Sequence, residues 1–362
     1  MAIRVVQFGT GFVGGLALRT IIERRDLELV GVWVSNPAKV GRDAAELAGL
    51  SARTGIRATD SIDEIIALKP DVICSGAGGD NRERWMTDVH CRFLEAGIDV
   101  VSTSIVGMID PVECPDREMV EKLDAAAKRG GSTYYTSGIE PGFMSDALPI
   151  LLTGISSYWH SIRIQEILDY STYRPSEIEK IMGDILGFGR PLDYEPYLFR
   201  GGRLKQVWSG PLTLIARACG LKFDEIEERS WRHAATENYE IPGFTRIEKN
   251  TSEAFRFEIA GRIAGRDVVV IEHLTRLRTE AAPQWSQGQS GPGYYVHIDG
   301  DPNLSCHIGC VGRDGDEQTG AILATAMRVV NAIPAVLAAR PGVISMLDLP
   351  AFASCGGYRA AP

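Results

Sequence analysis

The segment Gly9-Thr10-Gly11-Phe12-Val13-Gly14 has the spacing G-x-G-x-x-G between an apolar run and an amphipathic stretch. In a strand–turn–helix unit, Gly9 allows the tight turn, Gly11 leaves room for a pyrophosphate, and Gly14 lets the helix pack against the strand. The helix N-terminus then offers N–H groups to the phosphates. The spacing therefore predicts a dinucleotide site, the alternative being a glycine turn that binds nothing.

The end of the second apolar run indicates which dinucleotide binds. NAD sites usually carry an acid there, but this chain has Ser35 and Asn36, followed by Lys39 and Arg42. Without a carboxylate to repel it, a 2′-phosphate could receive charge-assisted hydrogen bonds. We therefore expect NADP, with NAD as the alternative; Lys39 and Arg42 could equally be ordinary solvated charges.

Two further strand ends belong to the predicted cofactor site. Gly76 and Ala77 follow the third apolar run, and Ser102, Thr103 and Ser104 end the fourth. Because ligands of an open parallel sheet bind outside the carboxyl ends of its strands, these residues should face the same cofactor.

Glu140 is the candidate catalytic residue. It is the only acid in the turn Gly138-Ile139-Glu140-Pro141-Gly142-Phe143, which follows the fifth strand. A carboxylate there can stabilise an iminium cation or accept a proton from an ammonium group, and partial burial would raise its pKa. Alternatively, Glu140 caps a helix predicted over residues 143–152.

The substrate pocket is predicted from residues that follow the turn. Phe143 and Met144 could supply apolar walls, although aromatic side chains more often belong to a core. Glu166, Tyr170 and Tyr173 lie on or just after a long strand that begins the second part of the chain. Glu166 and Asp169 point to opposite faces of that strand, so at most one faces the pocket.

Strands and helices alternate up to residue 145, which predicts an N-terminal Rossmann domain over residues 1–145 in an α/β protein. Period-two runs predict an α+β second domain over residues 146–318, with a large, mostly antiparallel sheet. Two hairpins are predicted within it, one over residues 251–276 with Gly265 in its turn and one over residues 294–310. Such a sheet leaves one face poorly covered, which favours a homodimer. Residues 319–362 should form a C-terminal helix that packs back on the first domain and brings Asn331 toward the cofactor.

Composition limits the partners and the compartment. The 362 residues carry a net charge of −9, with a pI near 5.3, which argues against binding to nucleic acid or to an anionic membrane. No apolar run of the length needed to span a membrane is apparent, and residues 1–8 already form a strand, so no signal peptide is expected. Seven scattered cysteines favour a reducing cytoplasm over disulfides, and no metal site is expected.

The chain resembles the dihydrodipicolinate-reductase-like amine dehydrogenases, a group that includes the diaminopentanoate dehydrogenases and the native amine dehydrogenases. The resemblance covers nearly the whole chain and is most specific at residues 138–143 and at Asn331-Ala332-Ile333-Pro334. It implies a homodimer and NAD(P)-dependent reductive amination of small ketones or aldehydes with ammonia. It also implies that Phe143 and Asn331 lie near substrate or cofactor.

One position departs from these relatives. They carry a glutamate just after the fourth strand, where this chain has Ile105-Val106-Gly107, and they usually have asparagine where Glu140 stands. Either the carboxylate has moved to the facing loop or amine chemistry has been lost. The alternatives are an NADPH-dependent reductase of a carbonyl or unsaturated acid, like dihydrodipicolinate reductase, and a non-catalytic NADP-binding protein.

Overall fold

A computed structural model describes residues 2–78, 82–175 and 177–358. Their contacts divide the chain into two compact units, Met1–Gly138 with Ile322–Pro362, and Ile139–Ala321. The first unit is therefore built from two separate stretches of sequence. The division at residues 145 and 318 that the sequence predicts remains a prediction about where the folding domains meet.

The secondary structure alternates in the first unit and is mainly strand in the second. The strands are β1 (Ile3–Phe8), β2 (Leu27–Trp33), β3 (Val72–Ser75), β4 (Asp99–Ser102), β5 (Thr133–Thr136), β6 (Tyr158–Asp169), β7 (Glu225–Ala234), β8 (Tyr239–Glu240), β9 (Arg246–Ile247), β10 (Ser252–Ile263), β11 (Arg266–Arg276), β12 (Gly293–Asp301), β13 (Leu304–Ile308) and β14 (Gly342–Ile344). The helices are α1 (Phe12–Glu23), α2 (Ala44–Leu47), α3 (Ile62–Ala67), α4 (Glu83–Glu95), α5 (Arg117–Gly130), α6 (Ala147–Thr153), α7 (Arg203–Ala218) and α8 (Glu317–Leu337).

The first unit contains a parallel sheet with the strand order β2-β1-β3-β4-β5-β14. Strands β3, β4 and β5 are buried along their whole length, as expected for short apolar runs in a parallel sheet. The chain crosses from β2 to β3 on the far side of β1, which makes the β1–β3 boundary the switch point where open α/β sheets bind ligands.

The C-terminal stretch adds both a helix and a strand to this unit. The C-terminal helix predicted from sequence is α8, and its buried side chains Val329, Val330 and Ile333 join the core around β1. By length and composition α8 could cross a membrane, but core helices of soluble proteins meet the same test. Strand β14, which the sequence analysis missed, pairs in parallel with β5.

The second unit contains a six-stranded sheet with the order β13-β12-β6-β11-β10-β7. Its neighbours are antiparallel except β6 and β11, which run parallel. The predicted hairpins β10–β11 and β12–β13 are present. The fold class predicted from sequence, a Rossmann-like parallel sheet followed by a mostly antiparallel one, is confirmed.

The two faces of this second sheet differ in chemistry. On one face an ion-pair ladder links Arg163 and Arg256 to the buried carboxylates of Glu258 and Glu272. On the opposite face β10 and β11 are apolar and pack against α7. This helix was not predicted, because Gly210 and Pro211 interrupt its helical pattern.

Candidate functional site

The glycine-rich turn joins β1 to α1 at the switch point of the parallel sheet. Gly9 has a φ of +90°, and a Cβ there would lie 2.7 Å from the Cα of Ala77, so a larger residue cannot be accommodated. Gly11 is the N-cap of α1, and a Cβ on it would meet nothing within 4 Å. The turn thus packs tightly against the β3 loop and leaves open space beside Gly11, which fits a pyrophosphate.

The other predicted cofactor residues of β3 and β4 join this turn. A Cβ on Gly76 would lie 2.9 Å from the Cα of Gly14. Ser104 donates its hydroxyl to the carbonyl of Ala77 at 2.5 Å, and its backbone N–H bonds to Ser102 Oγ at 2.9 Å. The backbone N–H of the half-buried Thr103 bonds to β3 at the Ser75 carbonyl. Hydrogen bonds and close packing therefore connect three strand ends.

Of the cofactor residues predicted after β2, the two cations Lys39 and Arg42 make different contacts. Lys39 reaches back to the glycine turn, where its Nζ donates to the Thr10 carbonyl at 2.8 Å and lies 3.1 Å from the Thr10 hydroxyl. Burial, and then the charge of Arg42, lower the pKa of Lys39. Arg42 itself pairs with Glu46 at 2.8 Å on the exposed surface. Lys39 is thus the cation beside the predicted phosphate site.

Ser35 and Asn36, the other two cofactor residues predicted after β2, lie on the surface. Ser35 is exposed, and the Asn36 side chain accepts from the Ala38 backbone N–H at 2.9 Å. Asn36 therefore fixes the turn that carries Lys39.

Asn331 does not lie where the sequence analysis expected it. Its Oδ1 accepts from Arg24 Nη1 at 2.7 Å, and Arg24 is the C-cap of α1. The glycine turn is at the other end of this 12-residue helix, about 18 Å away at 1.5 Å per residue. The predicted cofactor contact of Asn331 is therefore wrong, because the residue is bonded to the C-terminal end of α1 and the glycine turn is at its N-terminal end.

Glu140 belongs to a buried polar cluster of the second unit. Its side chain is only 1% exposed, and its Oε1 accepts from Trp208 Nε1 at 3.0 Å. His273 Nε2 lies 3.3 Å from the same oxygen. Oε2 is buried and makes no well-formed hydrogen bond among the described residues. Helix α6 begins at Ala147 with Asp146 as its N-cap, so the alternative role of Glu140 as a helix cap is wrong.

His273 lies between two carboxylates. Its Nδ1 is 3.2 Å from Glu166 Oε1, while its Nε2 faces Glu140. The ring stacks on Phe257 with centroids 4.5 Å apart and meets the edge of Trp208 at 4.9 Å. Burial opposes the charged form, but the carboxylates of Glu166 and Glu140 outweigh it and raise the pKa of His273 to about 9. Burial also raises the pKa of Glu140, and His273 opposes that rise.

The predicted pocket residues form a polar group around Glu166 and an apolar pair after the turn. Tyr170 donates its hydroxyl to Glu166 Oε1 at 3.5 Å, and the Tyr173 ring lies 5.2 Å from that of Tyr170. Met144 is fully buried, and Phe143 is half-buried beside it in the chain. The structure thus brings Glu140, Glu166 and Tyr170 into one cluster.

His273 was not among the functional residues predicted from the sequence. The available signal was a histidine on the otherwise apolar face of β11, directly opposite Glu166 in the β6–β11 register. No group of three or more His, Cys, Asp and Glu side chains in the described part of the chain could hold a metal ion.

Comparisons with known proteins identify the family. Residues 143–360 match the 2,4-diaminopentanoate dehydrogenase C-terminal domain. An amine dehydrogenase from Streptomyces virginiae is 36% identical over 352 residues, covering 96% of each chain. The chain belongs to this amine dehydrogenase family. Members are oxidoreductases that act on CH–NH2 groups with a nicotinamide cofactor, NAD or NADP.

A more distant relative and a solved structure add to this comparison. A 2,4-diaminopentanoate dehydrogenase from Acetoanaerobium sticklandii is 27% identical and covers 96% of this chain and 93% of its own length. The structure of an amine dehydrogenase from Mycobacterium smegmatis superposes with a TM-score of 0.80 at 21% identity, covering 99% of both chains. The latter likeness supports the fold of both units.

Proposed function

We propose that this protein is an NADPH-dependent amine dehydrogenase that catalyses the reversible reductive amination of small ketones or aldehydes, with Glu140 as its catalytic carboxylate. The observation that carries the proposal is the environment of the two carboxylate oxygens of Glu140. One of its oxygens is held by Trp208 and faces His273, and the other is buried without a well-formed hydrogen bond among the described residues, the Ser145 hydroxyl being the nearby donor. A buried carboxylate oxygen without such a bond is costly unless a substrate completes it.

The reaction combines a carbonyl, ammonia, NADPH and one proton to give an amine, NADP⁺ and water. The nicotinamide supplies the hydride when it is bound. Glu140 first donates a proton to the hydroxyl of the carbinolamine, which leaves as water. The resulting carboxylate then stabilises the positive charge of the iminium group that accepts the hydride. In the reverse direction, Glu140 accepts the proton released when water adds.

The proposed cofactor site consists of the three linked strand ends, from which Asn331 is omitted. Gly9, Thr10, Gly11, Phe12, Val13 and Gly14 would hold the pyrophosphate. Gly76, Ala77, Ser102, Thr103 and Ser104 would line the nicotinamide half. Lys39, with Ser35, Asn36 and Arg42 around it, would face a 2′-phosphate.

Lys39 provides a test of cofactor choice. Lys39→Ala should weaken NADPH binding by about tenfold, the usual worth of one charge-assisted contact, and leave NADH binding nearly unchanged. Arg42→Ala is the matched control, because Arg42 is paired with Glu46. Isothermal titration with both cofactors measures the difference, and equal losses for NADPH and NADH would remove the preference for NADP.

The activity itself is tested by NADPH oxidation with a panel of small ketones and aldehydes, with and without ammonium at alkaline pH. Oxidation that requires ammonium and yields an amine supports the proposal. Oxidation that is indifferent to ammonium supports the second candidate, a carbonyl reductase. The observation that favours this second candidate is the buried, apolar Ile105, at the place after β4 where the resemblance to the amine dehydrogenases leads one to expect a glutamate.

We further propose a cytoplasmic homodimer formed through the face of the second sheet that carries the ion pairs of Arg163 and Arg256. The arginines on this face are partly exposed, for example Arg163 at 39% and Arg256 at 28% of their side chains, and Trp231 is 41% exposed. Seven free cysteines agree with a reducing compartment. Light scattering of the wild type and of Trp231→Glu tests the dimer, which the substitution should weaken.

A further inference from the structure

His273 is buried in a position where a carboxylate faces each of its nitrogens. Its side chain is 6% exposed and lies between Glu140 and Glu166, whose side chains are 1% and 5% exposed. Both nitrogens approach carboxylate oxygens, at 3.3 Å and 3.2 Å. A histidine that only filled space in an apolar sheet face would not need two acidic neighbours.

The cluster continues beyond Glu166. Tyr170 donates to the same Glu166 oxygen that faces His273. The groups Glu140, His273, Glu166 and Tyr170 therefore form a line of titratable or hydroxyl side chains. Phe257 and Trp208 hold the imidazole ring in this line from two sides.

We propose that His273 is a positioning residue in a proton relay to Glu140: its imidazolium returns a proton to Glu140 after each turnover, and Glu166 holds the ring through Nδ1–H and keeps it charged. This inference rests on the proposed role of Glu140. In the amination direction Glu140 gives its proton to the leaving water. His273 Nε2–H then reprotonates Glu140, while Nδ1 keeps its proton against Glu166. Nε2 regains a proton from water that enters the site after the product has left. The net change is one proton taken from water per NADPH oxidised.

Few other groups can change the charge of His273. Glu140 faces it from the turn before α6 and Glu166 from β6, while Trp208 of α7 and Phe257 of β10 do not titrate. Tyr170 and Tyr294 lie near Glu166, and burial raises the pKa of both phenols well above the ordinary value, so they stay protonated. The charge of His273 therefore depends mainly on Glu140 and Glu166.

The decisive variant is Glu166→Gln, which removes one negative neighbour and leaves the Glu140–His273 contact in place. The imidazolium form carries the proton that reloads Glu140, so the amination rate should fall as pH rises through the His273 pKa. In Glu166→Gln this alkaline limb should move down by one pH unit or more. Both proteins are measured at the same ammonium concentration, so the ionisation of ammonium is common to them.

Glu253→Gln is the matched control. Glu253 is also a buried glutamate near a histidine, with His233 Nδ1 at 3.3 Å, but it lies outside the line described above. Its substitution should leave the alkaline limb of the pH profile in place. If Glu166→Gln leaves the limb unmoved, or if both variants move it equally, the relay is overturned.

A second variant, His273→Ala, distinguishes a proton relay through His273 from a role in packing alone. His273→Ala should lower the amination rate by about 100-fold, the size expected when a catalytic group loses its alignment. Imidazole added to the buffer should restore part of this rate, whereas it should not act on the wild type. Full loss without rescue, in a protein whose circular dichroism is normal, contradicts the proposal.

An NMR titration of the six histidines keeps this test independent of turnover. The His273 signal, assigned by its absence in His273→Ala, should titrate well above the ordinary range in the wild type and shift down in Glu166→Gln. An ordinary His273 pKa overturns the relay even if the enzyme aminates ketones. A high, Glu166-dependent pKa in a protein without ammonium-dependent oxidation supports the coupling and rejects only the proposed function.

Discussion

Glu140 and Glu253 are two buried glutamates of the same unit, each 1% exposed and each 3.3 Å from a histidine. Their other partners differ. Glu253 also accepts from Arg278 Nε and from the Tyr239 hydroxyl, both at 3.0 Å. Glu140 accepts from the neutral indole N–H of Trp208.

The cation beside Glu253 keeps its charge at every pH, whereas the cation beside Glu140 can lose it. An arginine stays charged at every pH at which the protein is folded, so Glu253 always has a cation beside it. Glu140 depends on His273, which can lose its proton, and burial raises the pKa of Glu140 itself. The first arrangement suits a structural ion pair, and the second suits a group that must gain and lose a proton during a reaction.

The largest expected effect concerns turnover. Glu140→Gln should lower the ammonium-dependent rate by about 100- to 1,000-fold, the usual contribution of a positioned acid or base, because an amide cannot transfer the proton. Cofactor affinity should stay within about twofold of the wild type, since an amide keeps the size of the carboxylate. Steady-state kinetics and fluorescence titration with NADPH measure the two quantities.

Glu253→Gln is the control for this prediction. It should keep most of the rate and lose stability instead. If both variants lose the rate equally, the distinction between the two glutamates fails.

The second prediction concerns stability. Arg278→Met should lower the free energy of unfolding by about 3 kcal/mol or more, because it leaves the buried Glu253 charge without its cation. His273→Phe should cost less at pH 9.5, where His273 has lost its proton in the wild type as well. Urea denaturation of both variants provides the comparison, and an equal loss would mean that Glu140 is held as firmly as Glu253.

The third prediction concerns pH. The pKa of His273 is raised to about 9, so its contribution is complete below the unfolded value near 6.5 and is lost as pH rises to about 9. Wild-type stability should therefore fall by about 3 kcal/mol over this range, at 1.36 kcal/mol per pKa unit. Urea curves at pH 6 and pH 9.5 measure the loss.

The comparison protein for the pH prediction is His273→Phe, in which this loss should be absent. Arg278 keeps its charge throughout the range, so the Glu253 cluster should add nothing to it. A wild type as stable at pH 9.5 as at pH 6 would show that His273 is not charged in the folded protein.

The smallest effect is expected for Trp208→Phe, which keeps an aromatic ring against His273 and removes the N–H donor to Glu140. The loss should be about 1 kcal/mol, the net value of one hydrogen bond. Without that donor the pKa of Glu140 should rise further, so the acid side of the pH–rate profile for amine oxidation, in which Glu140 is the base, should move up. An unchanged profile would indicate that Trp208 only packs.

Features that depend on neighbouring residues could be predicted from the sequence. The glycine turn, the hairpin around Gly265 and the single acid Glu140 in an apolar turn all have local signatures. Pairing of His273 with Glu166 depends on the β6–β11 register, which joins strands about a hundred residues apart. No periodicity contains that information.

The errors also have physical causes. Asn331 was placed by its position along α8, but the rotation of a helix decides which face meets α1, and its packing partner Arg24 is remote in sequence. Helix α7 was missed because Gly210 and Pro211 lower local helix propensity, and burial of its apolar face overrides that penalty.

Strand β14 has a consequence for how the protein is made. It pairs with β5, yet more than two hundred residues separate the two strands. While the ribosome is still translating the intervening unit, β5 presents an unpaired edge, which is a template for association with other nascent chains. The parallel sheet is completed only when residue 344 has emerged, so premature termination anywhere in the second unit should yield an aggregating product rather than a free cofactor-binding module.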